Sequence, residues 1–303
     1  MSHELDLSCF SYLASARVLQ IDEYPQLNGG AEVTGVIDTL AADAPMTAIA
    51  ASRLGLKVGL IANPLGDDEQ GKIISDSLER NSVANSIEQL PERKTPFIMV
   101  LSDKSGNREW ISYTKEAESE LLNSDLSQMN GASLAYIDLY AAIRPASLRA
   151  LDYASENEVP VFLNLSGDIP TPELLEKLTN KNIAFVQIGL PESRESEAET
   201  VATKMYEALN PEVSIVTLAS KGAIAVSGKT IVKTRAYPVD VLHVHGAGAV
   251  FSAGFIFGQT QNWDLQQTLE FACAIGSLSC TKERGFEEFS LDEINQLIAK
   301  KDK

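Results

Sequence analysis

Reactive side chains are scarce in this chain: its 303 residues include only three histidines, three cysteines and two tryptophans. Cys9, Cys273 and Cys280 are odd in number and have no metal-ligand spacing, which argues against a disulfide framework or a cysteine-built zinc site. They suit small buried thiols in a reducing cytosol. No apolar run approaches the roughly 20 residues that a membrane span requires. The start, Met-Ser-His-Glu-Leu-Asp, has neither the basic segment nor the apolar core of a secretory signal. The expected location is therefore cytoplasmic. Positive charge is also short: 25 Lys and Arg against 42 Asp and Glu leave a formal charge of −17. This balance argues against nucleic acid and anionic membrane surfaces as partners, and reads most simply as a device for solubility. Internal repeats and low-complexity tracts are missing as well.

What is present is alternation. Lys57–Ala62, Phe97–Ser102, Leu134–Leu139, Val161–Leu165, Ile183–Ile188 and Ser214–Leu218 have the apolar, β-type composition of strands. Several are apolar at successive positions, as strands covered on both faces tend to be. Helical patterns over Gln70–Arg80, Ala146–Asn157, Pro172–Leu178 and Glu195–Ala208 lie between them. Strand and helix repeated at this interval imply an α/β fold with a mostly parallel sheet and helices on both sides. Two stretches break the rhythm. Arg17–Leu40 reads as strand, turn, strand, with Asn28-Gly29-Gly30 at the turn. Phe97–Thr114 reads as a hairpin whose polar turn is Asp103–Arg108.

The densest local signal is His243-Val244-His245-Gly246-Ala247-Gly248-Ala249-Val250-Phe251. Gly246, Ala247 and Gly248 carry little or no side chain, so their backbone N–H groups can close on an anion. The apolar run that follows suits a helix whose positive dipole end points at that anion. The dinucleotide fingerprint is excluded, because Phe251 stands where its third glycine belongs. The segment resembles the C-terminal signature of the ribokinase (PfkB) family of carbohydrate kinases, Asp-Thr-x-Gly-Ala-Gly-Asp-x-Phe-x-x-Gly. Gly246, Ala247, Gly248, Phe251 and Gly254 match it. The resemblance extends from about Leu7 to Leu297. It implies a three-layer α/β/α sandwich over residues 1–303 as a single domain. It further implies a small β lid from segments 16–40 and 96–115, through which such proteins pair as homodimers. It implies ATP and Mg²⁺ as cofactors of an active enzyme and none for an inactive one, with a small sugar or nucleotide as ligand.

The same resemblance marks where this chain departs. Ala249 occupies the position of the aspartate that takes the proton from the attacking sugar hydroxyl, and a methyl group accepts no proton. His243 and Val244 replace the first Asp and the Thr. In the sugar region Ala31 replaces an acid, Ala41 and Ala42 replace a glycine pair, and Met46 replaces an asparagine whose amide binds hydroxyls. A thioether is only a weak acceptor. Thr217-Leu218-Ala219-Ser220-Lys221-Gly222 resembles the turn beside the nucleotide, with Ala219 in place of its first glycine and Gly222 kept. Glu192 survives from the family's magnesium-organising Asn-x-x-Glu, whose Asn is lost. Gly66–Gly71 keeps the family's acids, for which helix capping is a sufficient explanation.

Several substitutions together point to a scaffold whose catalysis has been lost or nearly lost, acting as a ligand-binding or regulatory pseudokinase. The alternative is an active sugar or nucleoside kinase with a displaced base, supplied by His245 or by a lid acid such as Glu116 or Glu118. His243 and His245 admit three readings: polar residues lining a vacated site, a base at His245, or half of a metal clip. The third histidine, His3, stands near the terminus.

Overall fold

The computed structural model of the chain describes residues 4–103 and 108–301. His3 and the middle of the expected polar turn, residues 104–107, lie outside the described residues. In chain order the strands are β1 (Leu7–Phe10), β2 (Ala14–Ile21), β3 (Val33–Ala41), β4 (Val58–Ile61), β5 (Leu65–Gly66), β6 (Ala84–Asn85), β7 (Gln89–Leu90), β8 (Phe97–Asp103) and β9 (Arg108–Tyr113). They continue as β10 (Ala135–Asp138), β11 (Val161–Asn164), β12 (Ile183–Gly189), β13 (Val213–Thr217), β14 (Ala223–Ser227) and β15 (Thr230–Thr234). The helices are α1 (Asp43–Arg53), α2 (Glu69–Arg80), α3 (Ala117–Leu122), α4 (Arg144–Glu156), α5 (Pro172–Leu178), α6 (Ala198–Leu209), α7 (Ala247–Thr260), α8 (Leu265–Ser279) and α9 (Leu291–Lys301).

The main sheet runs β15-β14-β13-β12-β11-β10-β1-β4-β6. Every pair from β13 to β6 is parallel, and only the edge pairs at β14 and β15 are antiparallel. Both faces are covered, which is why these strands read as continuous apolar runs. Tyr136, Phe162 and Phe185 pack with α1, α7 and α8 on one side. Ile137, Leu163 and Val186 pack on the other side with the buried residues of α4, α5 and α6. The order reverses around β1, which has β4 on one flank and β10 on the other. Ligands of open α/β sheets bind outside the carboxyl ends of strands at such a switch point.

A second sheet, β3-β2-β8-β9, lies apart from the first. It is the lid expected from the two irregular stretches, with a parallel β2–β8 centre and antiparallel edges. By register, Ala16, Val18, Ile98 and Val100 share one face and form a small core with Ile37. On that face Gln20 donates to the Leu242 carbonyl at 3.0 Å, so it is turned toward the chain leading into α7. β5 and β7 form a minor two-stranded pair beside α2. At the start of α2, Asp68 accepts the Gly71 N–H at 2.8 Å, the cap expected from Gly66–Gly71.

Candidate active site

The N-termini of α1 and α7 meet above the switch point. α7 begins without a side-chain cap, because Gly246 in the left-handed region (φ 81°) occupies the cap position. Its first backbone N–H groups therefore have no intrahelical partner. Met46 of α1 lies directly over the turn: a Cβ at Gly246 would sit 2.8 Å from the Met46 sulfur. Thr47 donates to the Ala249 carbonyl at 3.1 Å and locks the two helices together. Met46 retains 2% of its exposure and Ala249 none. Gly248 is exposed, while Gly246 is enclosed by Met46 and Phe286.

Both histidines are engaged in holding this turn. His245 donates from Nε2 to the Leu40 carbonyl at 2.7 Å, tying α7 to the end of lid strand β3. His243 accepts the His245 N–H on Nδ1 and donates from Nε2 to the Glu283 carbonyl. Burial of the His245 ring outweighs its bond to Leu40 and pulls its pKa down to about 4. The nearby charges of Arg108, on lid strand β9, and of Asp43 bear on the same ring.

A second polar cluster was not legible in the sequence. Ala42, with φ 72° and ψ 150°, precedes α1 and offers no side-chain cap. Asp138, at the end of β10, supplies that function from another strand by accepting the Ala44 N–H at 2.8 Å. The Asn164 amide, at the end of β11, bridges two carboxyls, donating to Asp138 at 2.8 Å and to Asp43 at 2.9 Å. Tyr140 accepts the Asp43 N–H through its hydroxyl. Complete burial and then the charge of Asp43 push the Asp138 carboxyl up to about 8. Asp43 is only half-buried and lies one helical turn before Met46 and Thr47, on the α1 side facing α7. No sequence motif links residues 43, 138 and 164: the parallel register of β10 and β11 sets Asp138 beside Asn164, whose amide reaches Asp43 on α1.

The remaining expected positions are dispersed. Thr217 ends β13, and Ala219 adopts φ 47° in the short turn that follows. Gly222 is required by its φ of 93° and by the Thr234 and Arg235 backbone, which a Cβ would strike. Its place in a strand-to-strand turn accounts for it without a ligand. Glu192 accepts the Ser220 N–H at 3.0 Å and so braces that same turn. Ala31 is exposed in the irregular stretch before β3. Glu116 pairs with Arg93 at 3.7 Å, and Glu118 lies within α3. Cys9, Cys273 and Cys280 are buried thiols not joined in a disulfide, as expected.

A magnesium ion requires oxygen ligands in octahedral geometry, commonly one or two carboxylates plus substrate phosphates and water. Among the described residues no three His, Cys, Asp or Glu converge as a metal cage. Glu192 already accepts the Ser220 N–H, and among the described residues no ready-made carboxylate cage for magnesium stands beside it. The N–H groups at Gly248 and Ala249 fit a phosphate oxygen chemically: Gly248 is exposed with no atom against it, while Met46 lies over Gly246.

The fold is shared widely. A putative ribokinase II from E. coli, solved with ATP and Mg²⁺, superposes with a TM-score of 0.76 at 18% identity, covering 98% of this chain and 99% of that one. A nucleoside kinase from Burkholderia thailandensis in complex with inosine superposes with a TM-score of 0.79 at 15% identity, covering 97% and 96%. In sequence, a 5-dehydro-2-deoxygluconokinase from Geobacillus thermodenitrificans is 25% identical over 293 residues, covering 83% of this chain and 81% of that protein. The architecture is ribokinase-like. The profile of the pfkB family carbohydrate kinases matches residues 46–287, from Met46 through the α7 turn to Glu287. With that match spanning more than half of its length, this chain belongs to the pfkB family of carbohydrate kinases.

Proposed function

We propose that this protein is a pfkB-family homologue that has lost most or all phosphoryl transfer and acts as a cytoplasmic ligand-binding or regulatory pseudokinase. Its ligand would be a small sugar or nucleotide, and its lid would pair it with a second copy. The observation that carries this reading is the packing at the head of α7. Position 249 offers a methyl group with no exposed surface, and Met46 fills the space over Gly246. A hydroxyl brought there meets no base at position 249 and a thioether in place of a hydroxyl-binding amide. Phosphoryl transfer rests on positioning, charge stabilisation and a base for the nucleophile. Loss of a general base alone costs about 10²–10⁴ in rate.

The experiment is a turnover assay with ATP, Mg²⁺ and a panel of sugars and nucleosides, run beside a thermal-shift screen of the same compounds. The expected outcome is stabilisation by a sugar or nucleotide with turnover under about 0.1 s⁻¹, well below the kinase range. Faster turnover defeats the proposal.

The alternative is an active ATP-dependent sugar or nucleoside kinase with a displaced base, and Asp43 is the observation in its favour. His245 has its Nε2 proton bound to Leu40 and a depressed pKa, and Glu116 is paired with Arg93. Asp43 is a half-buried carboxylate held by Asn164 beside the two helix starts. Under this alternative, Asp43→Asn removes the turnover and His245→Ala leaves part of it.

A further inference from the structure

The helix layer opposite α7 carries a second cavity, distinct from the site above. It has a volume of about 400 Å³ and is walled by Arg144, Arg194, Asp168, Gly167 and Thr171. Two guanidiniums converge here on a chain that carries −17 overall. Arg144 is the first residue of α4, and its Nε is buried with no hydrogen-bond partner among the described residues. Asp168 approaches one of its Nη atoms only to 3.8 Å, too far for a hydrogen bond. Arg194 is held from one side by Glu197, through Nε at 3.0 Å and one Nη at 2.7 Å. That grip fixes the guanidinium plane and leaves its other Nη for a further acceptor.

The cavity borders an apolar groove of about 460 Å³, walled by Pro170, Leu175, Val201 and Met205. Ile169 lines both and is 41% exposed, a large apolar side chain left at the junction. We propose that cavity and groove together bind an aliphatic monocarboxylate, its head between Arg144 and Arg194 and its chain over Ile169 into the groove. A carboxylate matches the planar donors of guanidinium, and burial of its chain adds the apolar contribution. With Asp168 and Glu197 beside them the two guanidiniums carry no net excess of charge, which suits a monoanion with an apolar tail over a dianionic phosphate. The site shares no residue with the α7 turn, so it stands or falls independently of the pseudokinase reading.

The test is calorimetric titration of the full chain with sodium octanoate, with acetate and inorganic phosphate as comparison ligands. Octanoate is expected to bind saturably, and acetate and phosphate at least about tenfold more weakly, a difference that calorimetry resolves. Arg144→Gln should weaken octanoate by about tenfold or more, as loss of a charge-assisted pair does. Ile169→Glu, at an exposed position, should do the same by placing a carboxylate in the path of the chain. Thermal melts matching the parent show that both variants fold. Absence of saturable octanoate binding overturns the proposal. So does phosphate or acetate binding as tightly as octanoate, or an Arg144→Gln protein that binds octanoate unchanged.

Discussion

At the scale of single residues, alanine stands at two places where the backbone favours glycine. Ala219 sits in the left-handed region, and Ala42, with φ 72° and ψ 150°, lies in a region that is essentially glycine territory. Strain there costs about 1–3 kcal/mol, while glycine adds roughly 0.5–1 kcal/mol of unfolded-state freedom. Ala42→Gly is therefore expected to raise unfolding free energy by about 1 kcal/mol in a urea melt, and a decrease would show that the turn is not strained. Asp138 and His245 set a pH dependence. Asp138 gains affinity for its proton on folding, from an ordinary value of 3.8 up to about 8, and His245 loses affinity, from 6.5 down to about 4. Between about pH 4 and 6.5 the extra proton on folded Asp138 offsets the one missing from His245, so their two slopes cancel. Above 6.5 only Asp138 remains, and stability should fall as pH rises toward 8. Asp138→Asn, which cannot ionise, should flatten that fall in Tm measured across the same range. Ala42, Met46 and Ala249 were legible in the sequence because each lies in a contiguous motif. Asp138, Asn164 and Asp43 were not, since residues on separate strands and a helix meet only through sheet register.

Elements were legible where burial on both faces left an unbroken apolar signature. β10, β11, β12 and β13 fall within about a residue of the runs read from sequence. β14 and β15 escaped because a five-residue edge hairpin, turned at Gly228 with φ 58°, has too little length for periodicity to build up. The start of α6 also shifted: Glu192–Glu197 forms a 3₁₀ turn broken at Arg194, and the α-helix begins only at Ala198. The apolar stripe around Cys273 and Gly276 is a helix seam, with α7 and α8 meeting through glycines. A Cβ at Gly254 would lie 2.5 Å from the Ile275 methyl and 3.1 Å from the Ala272 Cα. At Gly276 the nearest atoms stand at 3.4 Å, ordinary contact distance. Gly254→Ala is accordingly expected to cost about 1–3 kcal/mol through overpacking. Gly276→Ala should be near neutral, its small crowding offset by up to about 1 kcal/mol of helix propensity. Equal effects in paired denaturant melts would show that the seam adapts as a whole.

For the whole molecule, the proposed pairing of two copies rests on the lid. Its two faces differ, and the strand register sorts them. One face, with Val18, Val100 and Trp110, is turned toward the chain entering α7. The other presents Phe97 stacked on Tyr113 with ring centroids 5.6 Å apart, followed by Met99, Ile111, Leu19 and Val36. Phe97, Tyr113, Ile111 and Val36 on this face are exposed. A contiguous apolar sheet face on so acidic a protein is expensive to leave in water, and such patches mark association surfaces. Arg17 and Asp38 pair across strands on the same face at 2.6 Å, which neutralises local charge where like-charged copies approach. A two-fold pairing places this face against its own copy, an isologous contact. Ile111 and Trp110 are neighbours in sequence, nearly equal in exposure at 69% and 68%, yet on opposite faces. Ile111→Glu is therefore expected to convert a dimer to a monomer in sedimentation velocity, and Trp110→Glu to leave the dimer intact. Added salt should strengthen rather than weaken the dimer, because screening reduces the repulsion between two acidic bodies. A monomeric parent protein at about 50 μM, weaker than a typical specific interface allows, or a dimer lost only with Trp110→Glu, would place the pairing surface elsewhere.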